Sequence, residues 1–119
     1  MAKTKTLPQL LKKAQEVFNR FIRERDKDFG CISCGAGVDH AGHYLSQGHH
    51  SALRFNEVNT NGQCLRCNNF LHGNLIKYRQ GLVKKVGEQK VLLLENNKNT
   101  IKKWSRTELL AIIQLYGKS

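Results

Sequence analysis

Four cysteines fall into two Cys-x-x-Cys pairs, Cys31-Ile-Ser-Cys34 and Cys64-Leu-Arg-Cys67, with 29 residues between them. Thiolates are soft ligands, and four of them complete a tetrahedral zinc shell with no position left for water. The spacing therefore predicts a structural zinc ion held by Cys31, Cys34, Cys64 and Cys67. Such an ion would tie together both ends of the intervening segment. A disulfide framework would need an oxidising compartment, and close Cys-x-x-Cys pairs suit a metal better.

A second set of chemistry-bearing residues lies between and just after the pairs: Asp39, His40, His43, Asn59, Asn68 and His72. Hydrolysis of a phosphodiester needs a base for water, a hard cation for the phosphate and the leaving oxygen, and a group that orients the base. His43 can be the base and Asn59 can orient it. Asn68 and His72 are four residues apart, so they share a face if a helix covers them. They can then bind a magnesium or manganese ion. Asp39 or His40 would add a ligand from the strand side. In a regular strand Asp39 shares a face with His43 and His40 does not, which favours Asp39. A bulge would reverse this. His49 and His50 read as a solvated loop. Arg54, Lys77 and Arg79 lie close in sequence and are candidates for gripping a DNA backbone.

The elements that must position these groups follow from periodicity. Residues 7–25 carry Leu7, Leu10, Leu11, Ala14, Val17, Phe18, Phe21 and Ile22 at three- and four-residue steps, which predicts an amphipathic helix ending near 26–28. Pro8 suits its first turn. Residues 38–46 read as a strand, 47–52 as a loop and Leu53-Arg54-Phe55 as a second strand. Asn56 to Gln63 is rich in turn formers. Cys67 leads into a helical turn holding Asn68 and His72. Helices follow over 74–86, where Gly81 and Gly87 weaken or end the pattern, and over 88–95. Asn96-Asn-Lys-Asn99 reads as a linker. Ser105-Arg-Thr-Glu108 is a capping box before a last helix that stops near Gly117. Trp104 and Tyr116 read as core or interface residues.

Charge narrows the partner. Over 119 residues the formal net charge is +11. It divides into +4 over residues 1–30, zero over 31–74 and +7 over 75–119. A neutral centre between positive flanks suits a polyanion gripped at its ends, most simply nucleic acid. The start of the chain lacks the apolar run of a signal peptide, and no run approaches bilayer length. The expected setting is the cytoplasm, with reduced cysteines and no membrane.

The ordered words Phe29-Gly-Cys-Ile-Ser-Cys34, Ala41-Gly-His-Tyr44, Leu53-Arg-Phe-Asn56, Gln63-Cys64, Gly73-Asn-Leu75 and Tyr78-Arg79 resemble the lambda-phage NinG/Rap recombination family. More broadly, the Cys-x-x-Cys pairs, the strand histidine and Asn68 after Cys67 resemble the HNH (ββα-metal) nucleases. Asp39-His40 and Cys67-Asn68 also resemble the junction resolvases of large phages. The resemblance implies an endonuclease acting on branched recombination intermediates such as Holliday junctions and D-loops, in the host cytoplasm. In HNH proteins the first histidine is the base, the middle asparagine orients it and the closing helix supplies metal ligands. There is one departure. An Asp or His often precedes the base and binds the ion, and here that position is Gly42. The strand-side ligand thus stands between Asp39 and His40, and His43 could bind the ion while His40 acts as base.

The expected fold is α+β, a single domain over 1–119. A zinc-braced ββα-metal (HNH-like) core spans 29–87, between an N-terminal helix (7–28) and a C-terminal helical extension (88–119). The expected function is metal-dependent DNA endonuclease, with Zn2+ structural and Mg2+ or Mn2+ catalytic. The alternatives are a non-catalytic zinc-containing DNA-binding accessory protein and a zinc domain that binds proteins. Apolar stripes at both ends would suit a homodimer.

Overall fold

The computed structural model describes residues 4–117. Helix α1 runs Leu7–Asp26, and its start is set by a capping box. Thr6 Oγ1 accepts from the Gln9 N–H, and Gln9 Oε1 accepts from the Thr6 N–H. The apolar stripe read from the sequence is the face it buries, with Leu10, Ala14, Val17, Phe18 and Ile22 inside. Helix α4 (Arg106–Tyr116) packs against that face, capped by Ser105 and Glu108 as expected. Phe55, Leu109 and the half-buried Trp104 and Tyr116 complete this core. The Phe18 and Tyr116 rings meet edge to face with centroids 4.8 Å apart.

Strands β1 (His40–His43) and β2 (Thr60–Gln63) form an antiparallel pair. The second strand is not the expected 53–55. Ser51–Leu53 is instead a single 3-10 turn that drives Leu53 and Phe55 into two different cores. The strand falls on Thr-Asn-Gly-Gln, inside the stretch read as turn-forming. It is polar by sequence yet fully buried, because its side chains are hydrogen-bonded. Thr60 Oγ1 donates to the Asn56 carbonyl, and Asn61 Nδ2 donates to the Val58 carbonyl and the Tyr78 hydroxyl. Asn56 Oδ1 accepts from the N–H groups of Val58 and Asn59, which turns the chain into the strand.

After Cys64 the chain makes a π-helical turn over Arg66–Phe70. Helices α2 (Leu75–Val86) and α3 (Glu88–Asn96) follow. They enclose a second core of Ile32, Leu53, Tyr78, Leu82, Val91 and Leu94. α2 runs through Gly81 and ends at Gly87. A side-chain carbon there would lie 1.9 Å from the Ile32 carbonyl oxygen, so the glycine lets α2 press against the first cysteine pair.

One charged group joins these layers. Asp26, at the end of α1, is buried and accepts from the Gly62 N–H of β2 at 2.8 Å and from Lys85 of α2 at 2.9 Å, beside Arg25. Burial alone would raise its pKa. The hydrogen bonds from Arg25, Lys85 and Gly62 outweigh that and hold the carboxyl below its ordinary value.

Candidate metal centre and the strand beside it

The two cysteine pairs converge. The ligand atoms of Cys31, Cys34, Cys64 and Cys67 all lie within 4.8 Å of one another. Cys34 Sγ and Cys64 Sγ are 3.6 Å apart, beyond disulfide length, and all four cysteines are free. Each pair is a tight turn. Gly35 N–H donates to the Cys31 carbonyl, and Cys67 N–H points at Cys64 Sγ from 3.5 Å. Asn74 Nδ2 lies 3.5 Å from Cys67 Sγ. Burial pushes the Cys67 thiol up to about 12. Four crowded sulfurs with N–H donors aimed at them suit a cation that holds them as thiolates, and they can bind zinc. All four protein ligands are present, so such a site is closed. Among the described residues it is the one group of three or more His, Cys, Asp or Glu placed to share an ion.

The other expected residues separate onto the two faces of the sheet. Successive side chains on a strand point to opposite sides. His40 pairs in register with Gln63, and Gly42 with Asn61, so this face looks toward α2 and the cysteines. Ala41 packs into the α1–α4 core, so His43 looks the other way. His43 Nε2 lies 3.1 Å from the Arg54 carbonyl, which can only accept, so Nε2 carries the proton. Burial lowers the pKa of His43; the bond to the Arg54 carbonyl opposes this, and the Arg54 charge adds to it. The neutral form of the imidazole is thus favoured.

Asn59 does not orient His43. It is fully buried, and its carboxamide brackets the Leu45 backbone, accepting from the N–H and donating to the carbonyl, both at 2.9 Å. Its effect on β1 passes through the backbone beyond the strand. The histidine that meets a site asparagine is His40, with Nδ1 3.1 Å from Asn68 Nδ2.

Asp39 joins His40 on this side. Its N–H donates to the Gln63 carbonyl at 3.0 Å, although Gln63 is already the register partner of His40. Two residues thus answer to one, the doubled pairing of a bulge. Asp39 Oδ2 accepts from the Leu65 N–H at 2.8 Å, at the start of the turn that carries Asn68. His72 does not share a helical face with Asn68. The π turn ends at Phe70, and His72 sits beyond it in a left-handed conformation (φ +50°), exposed. Gly42, the departure noted in the sequence, has a steric reason. A side-chain carbon there would lie 1.9 Å from Gln63 Oε1, so a ligand at this position would require the Gln63 side chain to move.

Of the expected DNA-gripping residues, two are occupied. The Arg54 guanidinium bonds Gln15 of α1 at 3.2 Å. Arg79 is held by Glu95 at 2.9 Å and by Glu88 at 3.3 Å. Lys77 is exposed and makes no ion pair among the described residues. In the intervening loop, His50 Nδ1 reaches the Lys98 carbonyl at 2.6 Å and His49 is exposed. The residue that sequence reasoning passed over is Gln63, buried between the two cysteine pairs.

A family model described as the Bacteriophage Lambda NinG protein matches residues 1–119. The chain belongs to the NinG family. It is 43% identical over 105 residues to protein ninG of Escherichia phage lambda, a match covering 86% of this chain and 51% of that protein. It is 41% identical over 109 residues to protein ninG of Escherichia phage 933W, covering 89% and 54%. With protein ninG of Salmonella phage P22 the identity is 40% over 105 residues, covering 86% and 51%. The chain thus spans about half the length of these NinG relatives. No solved structure matches it. No described helix is long and apolar enough to cross a membrane.

Proposed function

We propose that this NinG-family chain is a metal-dependent DNA endonuclease of the HNH (ββα-metal) type, selective for branched recombination intermediates. The observation that carries this reading is His40. Its Nδ1 side meets Asn68 at 3.1 Å, next to the four-cysteine cluster, and its Nε2 makes no hydrogen bond to the described protein. A histidine held on one nitrogen and open on the other is what water activation needs.

The placement supports a set of roles. His40 replaces His43 as the base, and Asn68 replaces Asn59 as its partner. Asp39 is exposed, with one oxygen on Leu65 N–H and the other without a hydrogen bond among the described residues. A carboxylate oxygen completed by water suits magnesium or manganese. Asp39, with Asn68 or His72 from the turn that its Leu65 partner opens, would hold that ion. When bound, it would supply positive charge to the phosphate and the departing oxygen. Water that gives its proton to His40 Nε2 attacks the phosphorus in line, and the bond to the 3′ oxygen breaks.

Charge supports a DNA substrate. Between Glu57 and Glu88 the sequence has no acidic residue, while Arg66, Lys77 and Lys84 are exposed there. A backbone laid across this segment would meet cations alone. Preference for a branch rests on the family likeness. Two symmetric nicks would call for a homodimer.

One observation favours the rival reading, a zinc-containing protein that binds DNA without cutting it. Beside the cysteines, the described residues hold no second cluster of three or more His, Cys, Asp or Glu. The test is incubation with a four-way junction and a matched linear duplex, with magnesium, manganese or neither. Metal-dependent cleavage of the junction, lost in His40→Ala with binding retained, is expected. Binding without cleavage by the unmodified protein would establish the rival.

A further inference from the structure

Gln63 is fully buried at the end of β2. Its Nε2 donates to the Gly73 carbonyl at 2.7 Å and to Ser33 Oγ at 2.9 Å. Those partners fix which end of the carboxamide is which, because the reversed group would set its oxygen against a carbonyl oxygen. Oε1 therefore points over Gly42, where it is buried without a hydrogen-bond partner among the described residues. Such an orphan is uncommon in a folded protein and asks for a donor.

The nearest candidate is Asn68. A side-chain carbon at position 42 would lie 1.9 Å from Gln63 Oε1 and 3.1 Å from Asn68 Oδ1, so both oxygens border the space over Gly42. Two amide oxygens that border one space with no donor between them are unfavourable. Turning the Asn68 carboxamide over exchanges its oxygen and nitrogen and gives up only the 3.5 Å contact of Nδ2 with the exposed Asn69 Oδ1, the longer of its two contacts. Asn68 Nδ2 then donates to Gln63 Oε1. Asn68 Oδ1 then faces His40 Nδ1, the contact of 3.1 Å, and can only accept there.

We infer that Gln63 is a positioning residue that acts through Asn68 to keep the His40 proton on Nδ1 and the lone pair on Nε2. The opposite orientation, with Asn68 donating to Nδ1, would place the proton on Nε2 and leave no lone pair for water. The relay runs from β2, through the turn behind the fourth cysteine, back to β1. The cysteine cluster thus has a second consequence: it sets the carboxamide of Asn68 between Gln63 and His40. The use of this tautomer rests on the nuclease reading. The tautomer itself does not.

The test is nitrogen-15 NMR of the histidine rings in the zinc-loaded full chain, without DNA or added magnesium or manganese, at a pH where the ring is neutral. His40 is expected to show its proton on Nδ1. A coupling across the hydrogen bond from Asn68 Nδ2 to the Gln63 side-chain carbonyl is also expected. Gln63→Met should shift His40 toward the Nε2–H form. Adding Asn68→Asp to that variant should restore Nδ1–H, because a carboxylate can only accept. A purely structural Gln63 would give no such rescue. Zinc content and melting are followed in each variant. An Nε2–H ring or a missing coupling in the unmodified protein would overturn the relay whether or not the variants fold. So would an unchanged ring in zinc-loaded Gln63→Met. A chain with the expected tautomer that cuts no DNA would sink the nuclease reading alone. Cleavage by a chain with the other tautomer would sink the relay alone.

Discussion

Asp26 of α1 and Lys85 of α2 meet at 2.9 Å although they are 59 residues apart in the chain. The same carboxylate takes the Gly62 N–H, so one buried group fastens the N-terminal helix, the second strand and the helix behind the cysteines. Removing one partner of a buried pair leaves the other charge uncompensated. Asp26→Asn should cost about 3 kcal/mol in a denaturant melt. The sign with pH follows from a depressed folded-state pKa. The contribution of Asp26 is complete above its unfolded pKa of about 4 and is lost as pH falls through the lower folded value. The acid limb of stability below about pH 4 should be shallower in the variant.

Gly81 lies against the Ile32 carbonyl, where an added carbon would come within 1.9 Å. Backbone cannot swing aside as a flexible side chain can. Gly81→Ala would raise helix propensity by about 1 kcal/mol in an open helix. Here the clash should reverse that sign and destabilise by about 1–3 kcal/mol. α2 would be pushed off the first cysteine pair, so weaker zinc retention should accompany the lower melting temperature. Competition with a chelator checks this.

These two contacts show where the sequence was readable. The ends of α1 and α4 follow from local chemistry, a stripe of apolar residues and a capping pattern, and both helices lie close to where those signals put them. The cysteine spacing likewise carries its own geometry. β2 was hidden because Thr60, Asn61 and Gln63 are buried through hydrogen bonds to distant partners, so no apolar alternation marks them. The choice between His40 and His43 turned on the face of a strand, and one extra residue reverses that face. The doubled pairing at Asp39 sets Asp39 beside His40, and nothing in residues 38–46 announces a bulge. Arg79 looked free because Glu88 and Glu95, which hold it, belong to the next helix.

His43 gives a prediction opposite to the role its sequence position suggested. Burial holds its pKa below the ordinary value of about 6.5, so the unfolded chain binds a proton that the folded chain resists. The folded state is then at full advantage above about pH 6.5 and loses it as pH falls through the lower folded value. His43→Gln keeps an N–H for the Arg54 carbonyl and removes the titration. Its stability should change less between pH 7 and pH 5 than that of the unmodified protein. Denaturant midpoints across that range check this. A His43→Gln chain that has lost junction cleavage at full stability would return the base to position 43.

The four thiols make metal removal informative. With Cys34 and Cys64 sulfurs 3.6 Å apart and Cys67 buried, the few N–H groups at the sulfurs are too little to offset four thiolates, and a bound cation would do so. Structural zinc contributes on the order of 10 kcal/mol to small zinc-dependent folds. Stripping it, or making Cys67→Ser, should unfold the 31–74 region and leave the helical pairing of α1 with α4 less affected. Hydrogen exchange resolved by residue checks this: amides of β1 and β2 should lose protection before those around Phe18 and Leu109. Uniform loss across the chain would mean that the two cores do not melt separately.

Lys77 and Arg79 lie two residues apart on α2 and should behave differently toward DNA. Lys77 is exposed without an ion pair among the described residues, so it is available to a phosphate. Arg79 is committed to Glu95 and Glu88, and contact with DNA would first have to break those bonds. Lys77→Ala should weaken binding to any DNA sequence and reduce the slope of log affinity against log salt by about 1. Arg79→Ala should leave that slope unchanged. It frees the Glu88 and Glu95 carboxylates, the latter against the Tyr44 hydroxyl, and should loosen the packing of α3 on α2 with a small loss of stability, as exposed ion pairs contribute little. Titrations at several salt concentrations, beside melts of both variants, separate the two effects. A salt slope that falls in Arg79→Ala and not in Lys77→Ala would place the DNA backbone on the α3 side of the helix.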